Sequence, residues 1–166
     1  MSYINLKIKN ILMTLIRITG GHNTTNFALM KYACEHTPSL VIDCAGSANP
    51  HLLFPSVSAD TFYDVHVMQC ELLYVFRDIL KRLPLLVRQI KPKTIVITSF
   101  SHLINYHDNE ENDDILEQIW VTLSKLARTH DIFIAVHDER ASRYCQTMGV
   151  EQWVIPSGAK EEQWIV

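Results

Sequence analysis

The sequence has no C-x-x-C pair, no excess of basic charge, no internal repeat and no low-complexity linker. Each absence removes a class of protein. The four cysteines, Cys34, Cys44, Cys70 and Cys145, are widely spaced with no secretory signal ahead of them, so they are expected to be reduced, mostly buried thiols in a cytoplasmic protein. No apolar run reaches the roughly 18 to 20 residues of a membrane-spanning helix, because Lys7, Lys9 and Arg17 interrupt the N-terminal stretch. A formal charge of −3 gives no global pull toward nucleic acid or an acidic membrane, so such binding would need a local patch. What is there is 166 residues, 48% hydrophobic and 20% charged, which suits one domain over 1–166 with a substantial core.

One further lack is local. From Arg17 the chain reads Arg-Ile-Thr-Gly-Gly-His-Asn-Thr-Thr-Asn-Phe-Ala-Leu-Met, a strand, a glycine turn and a helix, with no lysine before Lys31. A phosphate-binding loop, G-x-x-x-x-G-K-[ST], uses glycine amides and the lysine to cradle phosphates and the hydroxyl to hold magnesium. Placing Thr25 on that hydroxyl puts Thr24 at the lysine, Asn23 at the second glycine and Ile18 at the first. Only the hydroxyl survives.

The wider pattern alternates strands with helices. Residues 13–19 form a β-branched run, and Thr24 or Thr25 is placed to cap a helix through about Glu35, with Phe27, Ala28, Leu29 and Met30 facing apolar surroundings. Residues 40–44 are a continuous apolar run suited to a parallel strand buried on both faces. After a loop over 45–60 and a short strand at 64–68, Leu72, Leu73, Phe76, Leu80 and Leu83 recur at helical spacing, with Pro84 expected to kink or restart the helix before Ile90. Residues 94–99 and 132–136 read as two more buried strands. Between them lies a loop holding Asp108, Glu110, Glu111, Asp113 and Asp114. The last two acids fall at the start of a helix carrying Ile115, Ile119, Leu123 and Leu126 on one face. A short helix over 139–148 is followed by strands at 152–155 and 163–166 around a Pro156-Ser157-Gly158 turn. The fold class is therefore α/β, one three-layer domain with a mostly parallel sheet flanked by helices and a C-terminal antiparallel hairpin. Its core starts at about residue 13, and the Ile- and Leu-rich segment before it is an edge or interface segment, or core packing.

Sites in such a sheet lie beyond the strand carboxyl ends, here residues 19–25, 43–46, 98–102 and 137–139. From Arg17 onward the chain resembles the ATPase core of the RecA/RadA recombinase family, particularly the short archaeal RadB-like paralogues. The resemblance is carried by Thr25-Asn-Phe-Ala-Leu, Leu40-Val-Ile-Asp-Cys, Tyr63-Asp-Val-His-Val-Met-Gln-Cys-Glu-Leu-Leu, Lys91-Pro-Lys-Thr-Ile-Val-Ile-Thr-Ser-Phe-Ser-His-Leu and Leu123-Ser-Lys-Leu-Ala-Arg-Thr-His-Asp-Ile-Phe-Ile-Ala-Val. It spans about nine tenths of the chain and implies a RecA-like domain. By that resemblance Thr98, beside Ser99, takes the place of the magnesium aspartate, and Ala45, after Asp43, that of the catalytic glutamate. His137 or Asp138 takes that of the γ-phosphate sensor. The degenerate nucleotide site is then Gly20, Gly21, His22, Asn23, Thr24, Thr25, Asp43, Thr98 and Ser99.

These losses imply a non-catalytic accessory or regulatory protein in recombination or repair. Its expected partners are a second copy or a RecA-family protein, with no membrane, no metal and no required cofactor. Two alternatives stay open. Asp43, His137 and Asp138 are placed to form a hydrolytic or metal-binding group, against the plainer roles of Asp138 as helix cap and His137 as donor to a backbone carbonyl. The amides of residues 20–26 are placed for weak nucleotide binding without lysine, with His22 either touching an anion or solvated. Arg77, Lys81, Arg82, Arg88, Lys91 and Lys93 are the one basic concentration, either a phosphate-contacting stripe or a solvated helix face. Arg140 and Arg143 are the residues best placed to face an acid or phosphate, while the acidic 99–113 stretch opposes DNA. Trp153, Trp164 and Ile165 belong either to core packing or to an interface.

Overall fold

Aliphatic, β-branched runs set the frame of the chain. The computed structural model describes residues 15–54, 56–104, 107–147 and 151–154. Strands β1 (Leu15–Thr19), β2 (Ser39–Asp43), β3 (Val65–Gln69), β4 (Thr94–Ile97), β5 (Ile132–Ala135) and β6 (Glu151–Val154) form one sheet in the order β3-β2-β4-β5-β1-β6. Every pairing is parallel. The three strands β2, β4 and β5 are buried at every position, as expected for apolar runs covered on both faces.

Successive residues of each strand feed opposite cores. On one face Leu40, Ile42, Ile95, Ile97, Ile132 and Ile134 pack with helices α3 (Leu73–Ile90), α4 (Asn109–Leu126) and α5 (Glu139–Thr147). There Phe76, Phe100 and Trp120 form a chain of rings with centroids 5.3 and 6.3 Å apart. On the other face Ile16, Ile18, Val41, Val96, Phe133 and Ala135 pack on Leu29, Met30 and Ala33 of α1 (His22–Glu35) and on Leu53 of the short α2 (Pro50–Leu53). The result is the expected three-layer α/β arrangement. No helix among the described residues is long and apolar enough to cross a membrane, and all four thiols are free and buried.

Several local expectations are corrected. Helix α1 starts at His22 with Gly21 as its cap, not at Thr24 or Thr25, because Gly20 at φ 152° turns the chain within two residues. Its buried face then runs through Thr25, Asn26, Leu29, Met30, Ala33 and Cys34, and Phe27 and Ala28, half-buried, pack against the same core as expected. The segment 45–60 is not plain loop. It contains α2, with Asn49 accepting from the His51 amide at its start, and a 3-10 turn begins at Ala59. Of the two expectations for Pro84, a restart is overturned, because α3 runs unbroken from Leu73 to Ile90 through it. Leu80, Leu83 and Val87 are buried on both sides of it, and their packing outweighs one missing hydrogen bond. The helix α4 begins at Asn109, earlier than Asp113, because Asp108 caps it by accepting from the Glu111 amide at 3.1 Å. Strand β6, the first strand of the expected hairpin, joins β1 in parallel, its register following the Ile16 to Thr19 edge. The turn and second strand of the expected hairpin, the segment before residue 15, Trp164 and Ile165 lie outside the described residues, as does the side chain of Trp153.

Candidate functional site at the strand carboxyl ends

Only Gly20 and Gly21 separate β1 from α1. A phosphate loop sets six residues, G-x-x-x-x-G, between its strand and helix, long enough for the backbone to curl around a phosphate. A two-residue turn has no such length. His22 and Asn23 are exposed at the first turn of α1, and no side chain caps that turn. Thr24 is half-buried, while Thr25 is fully buried, its amide donating to the Gly21 carbonyl at 2.8 Å and its hydroxyl making no hydrogen bond. The hydroxyl that the motif assigns to magnesium thus points into protein.

The end of β2 is tied to the end of β4 by a buried polar knot. Thr98 accepts from the amides of Cys44 at 2.8 Å and Ala45 at 3.0 Å, and its hydroxyl donates to Asp43 Oδ1 at 2.9 Å. Asp43 also accepts from the Ser47 amide at 3.0 Å through Oδ1 and from the Ala48 amide at 2.9 Å through Oδ2. Three of about four acceptor positions of this carboxylate are therefore filled, all by the loop and strand that it organises. Both residues are buried, where these bonds matter most.

A second polar line runs from α1 through β4 to β5. Asn26, 2% exposed, accepts from the Ser99 amide at 2.9 Å, and its side-chain nitrogen lies 3.4 Å from His22 Nδ1. The Ser99 hydroxyl meets His137 Nδ1 at 3.2 Å, and the rings of His22 and His137 sit 5.1 Å apart. Burial pushes the His137 imidazole below its ordinary value of 6.5, with His22 and Arg17 adding to the shift and the Gly20 backbone opposing it. A neutral imidazole between a serine and a second histidine holds these loops together without charge.

The remaining candidates have structural partners. Asp138 caps α5 by accepting from the amides of Arg140 at 2.9 Å and Ala141 at 3.1 Å. Arg140 donates to Asn109 Oδ1 at 2.6 Å, joining the starts of α5 and α4, and Arg143 pairs with Glu139 at 3.7 Å on an exposed surface. Among the described residues no group of three or more His, Cys, Asp or Glu is placed to hold a metal ion. Sequence reasoning missed Asn26 and Arg17. The latter, buried in β1, donates to Ser142 Oγ of α5 at 2.9 Å. Their signal was present, since a polar residue at an otherwise apolar position of a buried strand or helix face needs a partner.

A cavity of about 320 Å³ opens beside the knot, between the ends of β2 and β3. Asp43, Cys44, Cys70, Glu71 and His102 line it. The Cys44 thiol hydrogen-bonds Cys70, which holds Cys70 below the usual thiol range, while that contact and burial push Cys44 up.

Comparison with known proteins adds one finding. No family model matches the sequence, and no curated protein does. Among solved structures, the crystal structure of the RadB recombinase superposes with a TM-score of 0.59 at 15% sequence identity, covering 90% of this chain and 66% of that one. The chain thus spans slightly less than two thirds of that relative. An all-parallel α/β sheet with this order, layered between α1 on one face and α3 to α5 on the other, is the RecA-like fold.

Proposed function

We propose that the chain is a non-catalytic RecA-fold accessory or regulatory protein of DNA recombination or repair that acts through protein association in the cytoplasm. The observation that carries this is the Asp43–Thr98 knot. Where ATP hydrolysis needs a free carboxylate for magnesium and another to activate water, Thr98 is tied to two backbone amides and Asp43 to two more. The short turn at Gly20-Gly21 and the absence of a lysine between Arg17 and Lys31 support the same conclusion. A charge-assisted hydrogen bond contributes roughly 1.5 to 3 kcal/mol, so loss of the lysine alone weakens triphosphate binding by about 10- to 150-fold. The resemblance to the RadB recombinase supports the biological setting by analogy of fold, and a RecA-family protein or a second copy is the proposed partner.

Weak nucleotide sensing is a second reading. It is favoured by the uncapped first turn of α1, whose amides face the strand-end side beside His22. The hydrolase alternative built on Asp43, His137 and Asp138 has less support, because both carboxylates cap backbone amides. Three measurements on the full chain separate these readings: phosphate release from Mg-ATP, thermal shift with Mg-ATP, and light scattering alone and with a RecA-family recombinase. The accessory role expects no turnover, no shift and an associated species. Turnover lost in Asp43→Ala would refute it, and a monomer stabilised by several degrees would transfer support to the sensor.

A further inference from the structure

The basic stretch of the sequence acquires a shape in the fold. At the amino ends of β4 and β5, opposite the strand-end site, the last turns of α3 and α4 enclose a groove of about 930 Å³. Lys81, Arg88 and Lys91 from α3 and its end, Lys93 before β4, and Lys125 from α4 line it. All five are exposed, and none makes an ion pair among the described residues. Asp131 is the one acid in the lining. Arg77, by contrast, is committed to Asp78 at 2.9 Å, and Arg82 does not line the groove. The sequence stripe thus divides, and only part of it converges with a cation from a second helix.

The floor decides which anion fits. Leu80, Pro84, Val87 and Leu126 supply it, all aliphatic, with no Phe, Tyr or Trp on which a nucleobase would stack; the one ring in the lining, His130, is half-buried with Nδ1 2.8 Å from the Thr129 hydroxyl. Both helices also end here, and their carbonyl ends carry partial negative charge that disfavours any anion close to them, so an occupant's charges have to be spaced out to the cation rim. An occupant with discrete carboxylates spaced around aliphatic anchors meets the cation rim and the floor together. Leu85, 60% exposed next to Pro84, extends the apolar surface at the edge.

We infer that this groove is a docking site for an acidic, aliphatic-anchored segment of a partner protein, most simply an amphipathic helix laid between α3 and α4. The inference rests on the protein-association role proposed above and names the surface and chemistry through which it operates. Charge complementarity sets the on-rate and the salt dependence, and the aliphatic floor excludes purely polyanionic ligands.

The test uses the full chain and a fluorescein-labelled helical peptide of about 14 residues, with leucines at i, i+3 and i+7 and glutamates elsewhere. Polyglutamate and single-stranded oligothymidylate of matched charge are the competitors. The peptide is expected to bind saturably, to weaken as salt is raised, and to lose at least about tenfold in affinity in Arg88→Glu/Lys125→Glu. Arg82→Glu/Arg143→Glu, the same change in net charge outside the groove, is expected to bind like the parent. Thermal melting checks that each variant is folded, and Lys81→Glu and Lys93→Glu, tested singly, repeat the measurement if the double variant is not. No saturable binding, equal losses in the two double variants, or tighter binding of the oligonucleotide or polyglutamate than of the peptide overturns the inference. A second copy occupying the groove would appear as self-association abolished by Arg88→Glu/Lys125→Glu, which also overturns it. Because the titration reads the amino ends of the strands, its failure leaves the absence of ATP turnover untouched. Turnover, conversely, would refute the non-catalytic role without altering a positive titration.

Discussion

Removing the Thr98 hydroxyl while keeping its shape isolates the knot at the end of β2. In Thr98→Val the amides of Cys44 and Ala45 lose their acceptor, and Asp43 Oδ1 loses a donor. An unsatisfied buried donor costs about 1 to 3 kcal/mol; the Cys44 amide is fully buried and the Ala45 amide only partly so, which places the loss at about 3 to 4 kcal/mol. For a chain of this size each kcal/mol shifts Tm by roughly 2 to 4 °C, so a drop on the order of 10 °C is expected. Thr98→Ser is the control. It keeps the hydroxyl and removes one methyl group, for about 1 kcal/mol. Urea denaturation followed by tryptophan fluorescence, with scanning calorimetry for Tm, measures both variants. If Thr98→Val lies within about 1 kcal/mol of Thr98→Ser, the hydroxyl is not holding the loop and the structural account of this residue fails.

Three further expectations follow from other parts of the site. Asn26→Ala strips the acceptor from the buried Ser99 amide and should cost about 1 to 3 kcal/mol, whereas Asn26→Asp keeps that acceptor and should cost less; equal losses in urea titrations would contradict the assigned bond. His137 titrates below 6.5 in the folded chain, so the unfolded chain takes up its proton first: stability is complete above pH 6.5 and falls as pH drops below that value toward the folded pKa. His137→Gln should flatten this part of the stability-pH curve measured by urea midpoint, and an unchanged slope would show that the ring is not held neutral by the fold. The buried thiols of Cys34 and Cys145 are pushed up from 9.0 to about 11, about a hundredfold less thiolate at a given pH, while Cys70 is lowered and faces the cavity. Iodoacetamide at pH 8 should therefore label Cys70 ahead of both, as read by peptide mass mapping, and labelling of Cys34 or Cys145 first would reverse the assignment.

The contrast between Asp43 and Thr25 explains which features were legible in the sequence. Runs such as Leu-Val-Ile at 40–42 and Ile-Val-Ile at 95–97 announce buried parallel strands because every position must be apolar when both faces are covered, and the helices between them follow from spacing. Boundaries were less legible because single bonds set them: Gly20 at φ 152° starts α1 early, and the Asp108 side chain starts α4 early. At the site, residue type and motif position were readable, but a carboxylate's availability was not. Asp43 has the chemistry of a catalyst and the bonding of a cap, and only the loop folding back through Ser47 and Ala48 distinguishes the two. Thr25 reads as the one retained motif residue, yet the two-residue turn before α1 directs its hydroxyl into the protein. A motif is a spacing along the chain, whereas a site is a direction in space. Here the strand ends keep the order of a RecA-like sheet while their polar groups point at one another, and five exposed cations without an ion pair among the described residues gather instead in the groove between α3 and α4.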